Sequence, residues 1–161
     1  MSPLGIFHTT VSVLPVGFGL YAYLRDGRID LKTRVGKLYW LTMVVGSVTA
    51  LGFIPTKGFG PPQVLTLLTL GLLLASVMTP RGRWRGEGHV RTVSLTLSYF
   101  LLWFFTTTET LTRLPKGEPF ASGPNDPALL PVRLALLVVL AIGLTLQVRR
   151  LRAAPALVPV R

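Results

Sequence analysis

The stretch RDGRIDLKTRVGKLYWLTMVVGSVTALGFIP, residues 25–55, decides the fold. Its first part, 25–37, carries five Lys or Arg residues, whereas the apolar part that follows, 38–55, carries none. A helix needs about 17–25 predominantly apolar residues to cross the hydrocarbon core of a bilayer. An excess of positive charge beside such a helix marks its cytoplasmic side. The stretch therefore predicts a membrane-spanning helix that starts at the cytoplasmic face.

The rest of the chain repeats this pattern. Thirteen of the seventeen Lys and Arg residues lie in 25–37, in 81–91 or after residue 148, so their density alternates from one connection to the next. We predict an all-α fold, an integral membrane helical bundle with five transmembrane helices, over a single domain 1–161. The positive-inside rule puts its N-terminus outside and its C-terminus in the cytoplasm. The predicted spans are 4–24, 38–55, 64–80, 92–110 and 129–148.

Composition narrows the class of protein. Half of the 161 residues are hydrophobic, so little of the chain is left for a soluble domain. A net charge of +11 would suggest nucleic acid in a soluble protein, but no nucleic-acid-binding motif accompanies it. Short cytoplasmic loops beside an anionic leaflet explain the charge instead. We expect membrane lipids as partners, with anionic headgroups at the cytoplasmic face, and no nucleic acid.

Two further features of composition concern compartment and chemistry. The chain has no cysteine, which excludes disulfides, cysteine-ligated iron–sulfur clusters and covalently attached c-type haem. Arg outnumbers Lys thirteen to four, a bias typical of GC-rich bacterial genomes. We therefore expect a multi-pass protein of the bacterial cytoplasmic (inner) membrane.

Local patterns add expectations about packing. Gly46, Ser47 and Ala50 form a small-residue face that would let another helix approach closely, although small residues are also simply common in membrane helices. Asp30 is expected to cap the second helix. The third span, 64–80, has few distinctive side chains and is expected to face lipid.

Ionisable groups inside a span are candidates for function, because each is costly there. His8 and Glu109 both fall within about 6 Å of the outer boundary by helix counting. If their helices adjoin, they form a polar pocket with Thr9, Thr107 and Thr108, in which a His–carboxylate pair could relay protons or orient a ligand. The alternative is that both side chains are simply hydrated in the headgroup region.

A second candidate site lies at the inner side. His89 lies at the cytoplasmic entrance of the fourth span, and Met78 and Met43 lie within about a turn and a half of the cytoplasmic boundary. Together they are a candidate ligand set for noncovalent haem, which bundles hold with His or Met from facing helices. Methionine in a membrane helix is more often a packing residue. We predict no metal site, and no catalytic motif is present.

Three short motifs resemble a family of small bacterial multi-span membrane proteins known only as a domain of unknown function. They are His8 in the first helix, Gly36-x-x-Tyr39 at the start of the second, and His89-Val90-Arg91 at the start of the fourth. The resemblance covers about residues 6–110 and implies a membrane bundle. The family usually has a histidine at the position of Lys32, which would partner His89 on the cytoplasmic side.

Two functions remain open. The first is a non-catalytic membrane subunit, not an enzyme and without a cofactor, that packs against a larger membrane complex or forms a homo-oligomer. The alternative is a small redox membrane protein associated with haem b or with a quinone.

Overall fold

The protein folds as a set of long helices. The computed structural model describes residues 2–79 and 87–153, and all the regular structure in these two ranges is helical. This confirms the predicted all-α class. The second predicted span divides into α2 and a short turn, α3, and the last is preceded by a 3-10 turn at Pro127–Leu129. The helices are α1 Pro3–Asp26, α2 Arg34–Leu51, α3 Ile54–Lys57, α4 Pro61–Met78, α5 Glu87–Leu111 and α6 Leu130–Ala153.

The loop between α1 and α2 is set by local hydrogen bonds. Gly27 ends α1 in the left-handed region, with φ of 68°, a conformation that glycine adopts without a steric penalty. We expected Asp30 to cap α2, but it does not. It accepts a hydrogen bond from the Lys32 amide, while the Thr33 hydroxyl caps the helix by accepting one from the Gly36 amide at 3.0 Å. The helix therefore starts four residues before the predicted apolar span.

Two hairpins and one additional helix make up the bundle. α1 packs on α2, α4 packs on α5, α2 joins the hairpins through α4, and α6 packs on α5. The hydrogen bonds between helices cluster in the half that contains the α1–α2 loop. Tyr39 and Ser98 pair at 2.8 Å, and Trp40 donates to the Leu73 carbonyl oxygen at 3.0 Å. The apolar core occupies the same half. Its buried members are Ala22, Ile29, Tyr39, Met43, Leu73, Leu95 and Leu102.

Four helical stretches are long and apolar enough to cross a membrane: Pro3–Asp26, Arg34–Thr56, Pro61–Met78 and Pro127–Ala153. The helix α5 is longer than most of these but is not among them. Its first half contains a run of hydroxyl residues, which lowers its average hydropathy, and these residues are buried against the other helices. That run consists of Thr92, Ser94, Thr96 and Ser98.

The third span is not the best candidate for facing lipid, contrary to the expectation from its sequence. In α4, 22% of the apolar window is buried, including Thr69 and Leu73, whereas in the stretch containing α6 only 6% is buried. The difference arises because α4 packs on both α2 and α5, while α6 has α5 as its main helical neighbour.

The connection between α5 and α6 folds back over the end of α5. The Ala121 amide donates to the Leu111 carbonyl oxygen at 3.0 Å, and Asp126 accepts from the backbone and side chain of Ser122. Arg133 stacks over Phe104, with 5.0 Å from its guanidinium carbon to the ring centroid, and donates to the Pro124 carbonyl oxygen. These contacts fix the loop to both helices.

Candidate functional site

A large cavity lies where the two hairpins separate. It has a volume of about 740 Å³ and is bounded by the first half of α1, the second half of α2, the first half of α4 and the second half of α5. The hydrogen-bonded, apolar half of the bundle forms its floor. We call this space the outer cavity, and Pro15, Val16, Met43 and Leu102 line its deep end.

His8 lies on one wall of the outer cavity. Its Nδ1 is 2.9 Å from the Thr49 hydroxyl oxygen and 3.5 Å from the Ser12 hydroxyl oxygen, and its ring meets Phe53 edge-on. The side chain therefore links α1 to the end of α2. The Thr49 hydroxyl also donates to carbonyl oxygens of its own helix, those of Val45 and Gly46. These bonds fix the orientation of the hydroxyl that contacts the imidazole.

Glu109 lines the same cavity, but it does not have the partner that we predicted. It forms an ion pair with Arg113 one turn later on α5, and both side chains are more than half exposed. The helices α1 and α5 do contact each other, since Tyr23 donates to Thr96 at 2.9 Å. The structure thus brings His8 and Glu109 to one cavity and gives each a different partner.

The threonines of the predicted pocket divide into two groups. Thr9 lines the cavity and donates to the Gly5 carbonyl oxygen of its own helix. Thr107 and Thr108 also donate to carbonyl oxygens of their own helix, and neither contributes to the cavity wall. Thr106 and Thr110 line the cavity in their place. Thr106 lies three residues before Glu109 and Thr110 three residues before Arg113, and residues three apart share a helical face.

Two residues of α2 and α4 that sequence reasoning did not assign to this site also line it. Ser47, assigned above only to helix packing, is buried on the wall. Gln63 is buried at the start of α4, where its Oε1 accepts from the Gly60 amide at 2.9 Å. Gly-x-x-Gln before an apolar run is a capping signal that could have placed Gln63 at a helix start. Its orientation toward α1 and α5 depends on tertiary packing.

The small-residue face of α2 meets α1. Gly46 is buried, and a Cβ added to it would lie 3.2 Å from the Ser12 hydroxyl oxygen. Gly46, Ser47 and Ala50 all line the outer cavity. This face therefore serves both close approach of α1 and the shape of the wall.

The inner candidates are dispersed. Met43 is 5% exposed and belongs to the core, whereas Met78 is 69% exposed at the end of α4. Of the two described cavities, the outer one contains Met43, and neither contains Met78 or His89. No group of three metal-binding side chains occurs within residues 2–79 and 87–153. Met43 and Met78 thus lie in different surroundings, and haem ligation by His89 with either of them stays a prediction.

A smaller cavity of about 340 Å³ lies at the opposite end, between the α1–α2 loop and α6. Gln147 is 5% exposed there; it accepts from Thr96 at 2.7 Å and donates to the Gly27 carbonyl oxygen at 3.2 Å. A Cβ on Gly27 would lie 2.5 Å from Arg150 Nη1, so the end of α6 lies directly over this turn. These contacts explain the interior position of a polar residue in an otherwise apolar helix.

Comparison with known protein families finds no matching family model, and neither the curated proteins nor the solved structures give a match.

Proposed function

We propose that this chain is a five-span integral protein of a bacterial inner membrane, with its N-terminus outside and its C-terminus in the cytoplasm. Four apolar helical stretches of sufficient length support this proposal. The 25-residue helix α5 would be the remaining span, sheltered from lipid by α1, α4 and α6. Its buried hydroxyls then bond to protein groups, which satisfies their hydrogen-bonding capacity away from hydrocarbon.

The basic residues support the orientation. Exposed cations lie in the α1–α2 loop and at the end of α6, the end at which Gln147 contacts Gly27. Arg81, Arg83, Arg85 and Arg161, which also enter the charge count, lie outside the described residues. Each basic residue near an anionic leaflet contributes about 1 kcal/mol of attraction. The exposed set is Arg25, Lys32, Arg34, Lys37, Arg149, Arg150 and Arg152.

Within the membrane, we propose a non-catalytic subunit that packs through α6 against a larger complex or a second copy. The observation that carries this role is the one-sided packing of α6. Gln147 is its buried residue, whereas several of its apolar side chains are about half exposed or more, including Leu134, Leu137, Val138, Val139, Ile142 and Leu146, with Val139 at 67%. Because α6 has one main helical neighbour, its other faces are available to another protein.

Site-specific photo-crosslinking tests this role. A photoreactive amino acid at Val139 should give a discrete protein adduct in native membranes, of either a dimer or a heteromeric complex. The matched control is the same residue at Leu41, which is 54% exposed on α2. Adducts with lipid alone at Val139, or the same protein adduct from both positions, would contradict a specific α6 interface.

The alternative function is a small redox protein associated with haem b or with a quinone. A visible absorption spectrum distinguishes a haem b protein from the subunit role. The dispersed positions of Met43 and Met78 do not support a haem site with His89. A Soret band in protein purified from native membranes would nevertheless favour haem b over the subunit role. The resemblance to the family of unknown function likewise remains a prediction.

A further inference from the structure

We propose that the outer cavity binds a membrane amphiphile that has one hydrocarbon tail and an uncharged head with hydrogen-bond acceptors. Its volume of about 740 Å³ is within the range of small-molecule sites, which is about 300–1,000 Å³. In the proposed topology, the head of the ligand faces outward. The site itself does not depend on that topology, because the cavity is defined by side chains alone.

The lining has fewer available polar groups as depth increases. From Gly5 to Val16 the wall of α1 extends roughly 16 Å at the usual rise of an α-helix. Gln63 and Glu109 line the shallow end, and Met43 and Leu102 line the deep end. Two threonines also line the deep end, but their hydroxyls donate to carbonyl oxygens of their own helices: Thr42 and Thr69. A molecule polar at one end and apolar at the other matches this gradient. Water alone would leave the deep end unfavourably hydrated.

Several polar atoms of the wall have hydrogen-bonding capacity to spare. Within the described residues, the hydroxyls of Ser47, Thr106 and Thr110 and the amide nitrogen of Gln63 make no hydrogen bond to the chain. Their neighbours Thr107 and Thr108 are satisfied by their own helix. Ser47 and Gln63 are buried, and a buried polar group without a partner is costly, so a ligand that supplies acceptors is stabilised there.

The charges at the mouth point to an uncharged head. Three titratable side chains line the cavity: His8, Glu109 and Arg113. Glu109 and Arg113 already pair with each other, so their charges cancel. A carboxylate or phosphate head would have to compete with Glu109 for the guanidinium, whereas a carbonyl or hydroxyl head needs only the free hydroxyl and amide donors.

The cavity separates α1 from α5 over part of their length. The contacts of these helices lie toward the cytoplasmic end, where Tyr99 packs against Gly19 and donates to the Val16 carbonyl oxygen at 3.2 Å. In their other halves both helices line the cavity. In the proposed site, the tail would enter from the bilayer between these two halves.

The test is a titration of the full-length protein in detergent, followed by native mass spectrometry. Monoolein and a short-tail ubiquinone supply uncharged heads from two sources, and oleate supplies the monoolein tail with a charged head. One-to-one binding of an uncharged probe, tighter than that of oleate, is expected. Monoolein alone would identify a lipid, ubiquinone alone a quinone, and both a site selective for the head class.

Two double variants of α5 test the recognition of the head. Thr106→Val with Thr110→Val should raise Kd about tenfold for the probe that binds, because two hydrogen bonds are lost. Thr107→Val with Thr108→Val makes the same change at hydroxyls outside the cavity and should leave Kd unchanged. Circular dichroism and melting temperature confirm that both variants fold. The proposal is overturned if neither uncharged probe binds more tightly than oleate, or if the two double variants behave alike.

Discussion

Gly17 and Gly19 lie two residues apart on α1 and have opposite surroundings. A Cβ at Gly19 would collide with the Tyr99 ring, whereas a Cβ at Gly17 would meet nothing within 4 Å. The Tyr99 ring also contacts Tyr23 and Tyr39, so it cannot move without disturbing the centre of the bundle. The close approach of α1 and α5 therefore depends on one glycine of the pair.

Substituting each glycine by alanine separates packing from helix propensity. Gly19→Ala should lower the free energy of unfolding by about 1–3 kcal/mol, the usual cost of overpacking. Gly17→Ala should leave it unchanged or raise it, since alanine favours a helix by about 1 kcal/mol. Unfolding in mixed micelles measures both. Equal effects of the two substitutions would show that Tyr99 does not pack on α1 as described.

The same scale shows what sequence reasoning could and could not place. Helix counting predicted that His8 and Glu109 lie at similar depth, and in the structure both line one cavity. It chose Thr107 and Thr108 by adjacency to Glu109, although side chains next to each other along a helix point about 100° apart. A rule based on three- and four-residue spacing would have selected Thr106. The assignment of Thr49 as the partner of His8 required the packing of α1 on α2.

Among the elements, the end of α4 is linked to the start of α5 by the side chain of Arg91. Arg91 Nε donates to the Ser76 carbonyl oxygen at 3.1 Å, and its Nη2 donates to the Thr79 carbonyl oxygen at 2.7 Å. The last carbonyl groups of a helix have no partner within the helix, so the guanidinium caps α4. In the sequence, Arg91 contributed only to the charge count and to the motif His89-Val90-Arg91.

Loss of this cap should be visible at the end of α4. Arg91→Ala should speed hydrogen exchange of the last-turn amides of α4, and Arg91→Lys should rescue it only partly. A single ammonium lacks the fork geometry of a guanidinium and serves two carbonyl oxygens poorly. Arg152→Ala, which removes an exposed arginine from α6, is the control. Full protection in Arg91→Ala would mean that the cap does not hold the helix end.

The loop before α6 has a pH-dependent element. Hydrogen bonds from the Ser122 side chain and from the amides of Ala128 and Ser122 lower the pKa of Asp126 below its usual value of 3.8. The carboxylate therefore stabilises this loop fully above that value, and the contribution is lost as the pH falls through the lower, folded-state pKa.

Exchange protection factors of the Ser122 and Ala128 amides should therefore remain constant near neutral pH and fall at acid pH. Asp126→Asn should show lower protection of the Ser122 amide and no such pH dependence, because an amide keeps one acceptor oxygen but has no charge. A profile in the wild type that follows that of the asparagine variant would show that the carboxylate is not the group responsible.

For the whole molecule, the sequence predicted the number of long helices and their approximate limits. The apolar runs start and end within a few residues of the ends of α1, α4 and α6. The agreement is expected if these helices span a bilayer, because the thickness of the bilayer then sets the length of the apolar run and of the helix. The same reasoning treated every span alike. It did not predict that α5 would be the central helix with a buried polar stripe and α6 the peripheral one, since that difference arises from packing between helices.

The central claim is that five helices cross the membrane, so that the chain ends lie on opposite sides. The chain has no cysteine, so Ser2→Cys, Asn125→Cys and Arg152→Cys each introduce a single thiol at an exposed position. A membrane-impermeant maleimide applied to intact spheroplasts should label positions 2 and 125, and should label position 152 only after permeabilisation. If α5 did not cross, position 125 would be protected and position 152 labelled in intact spheroplasts, which would contradict the five-span account.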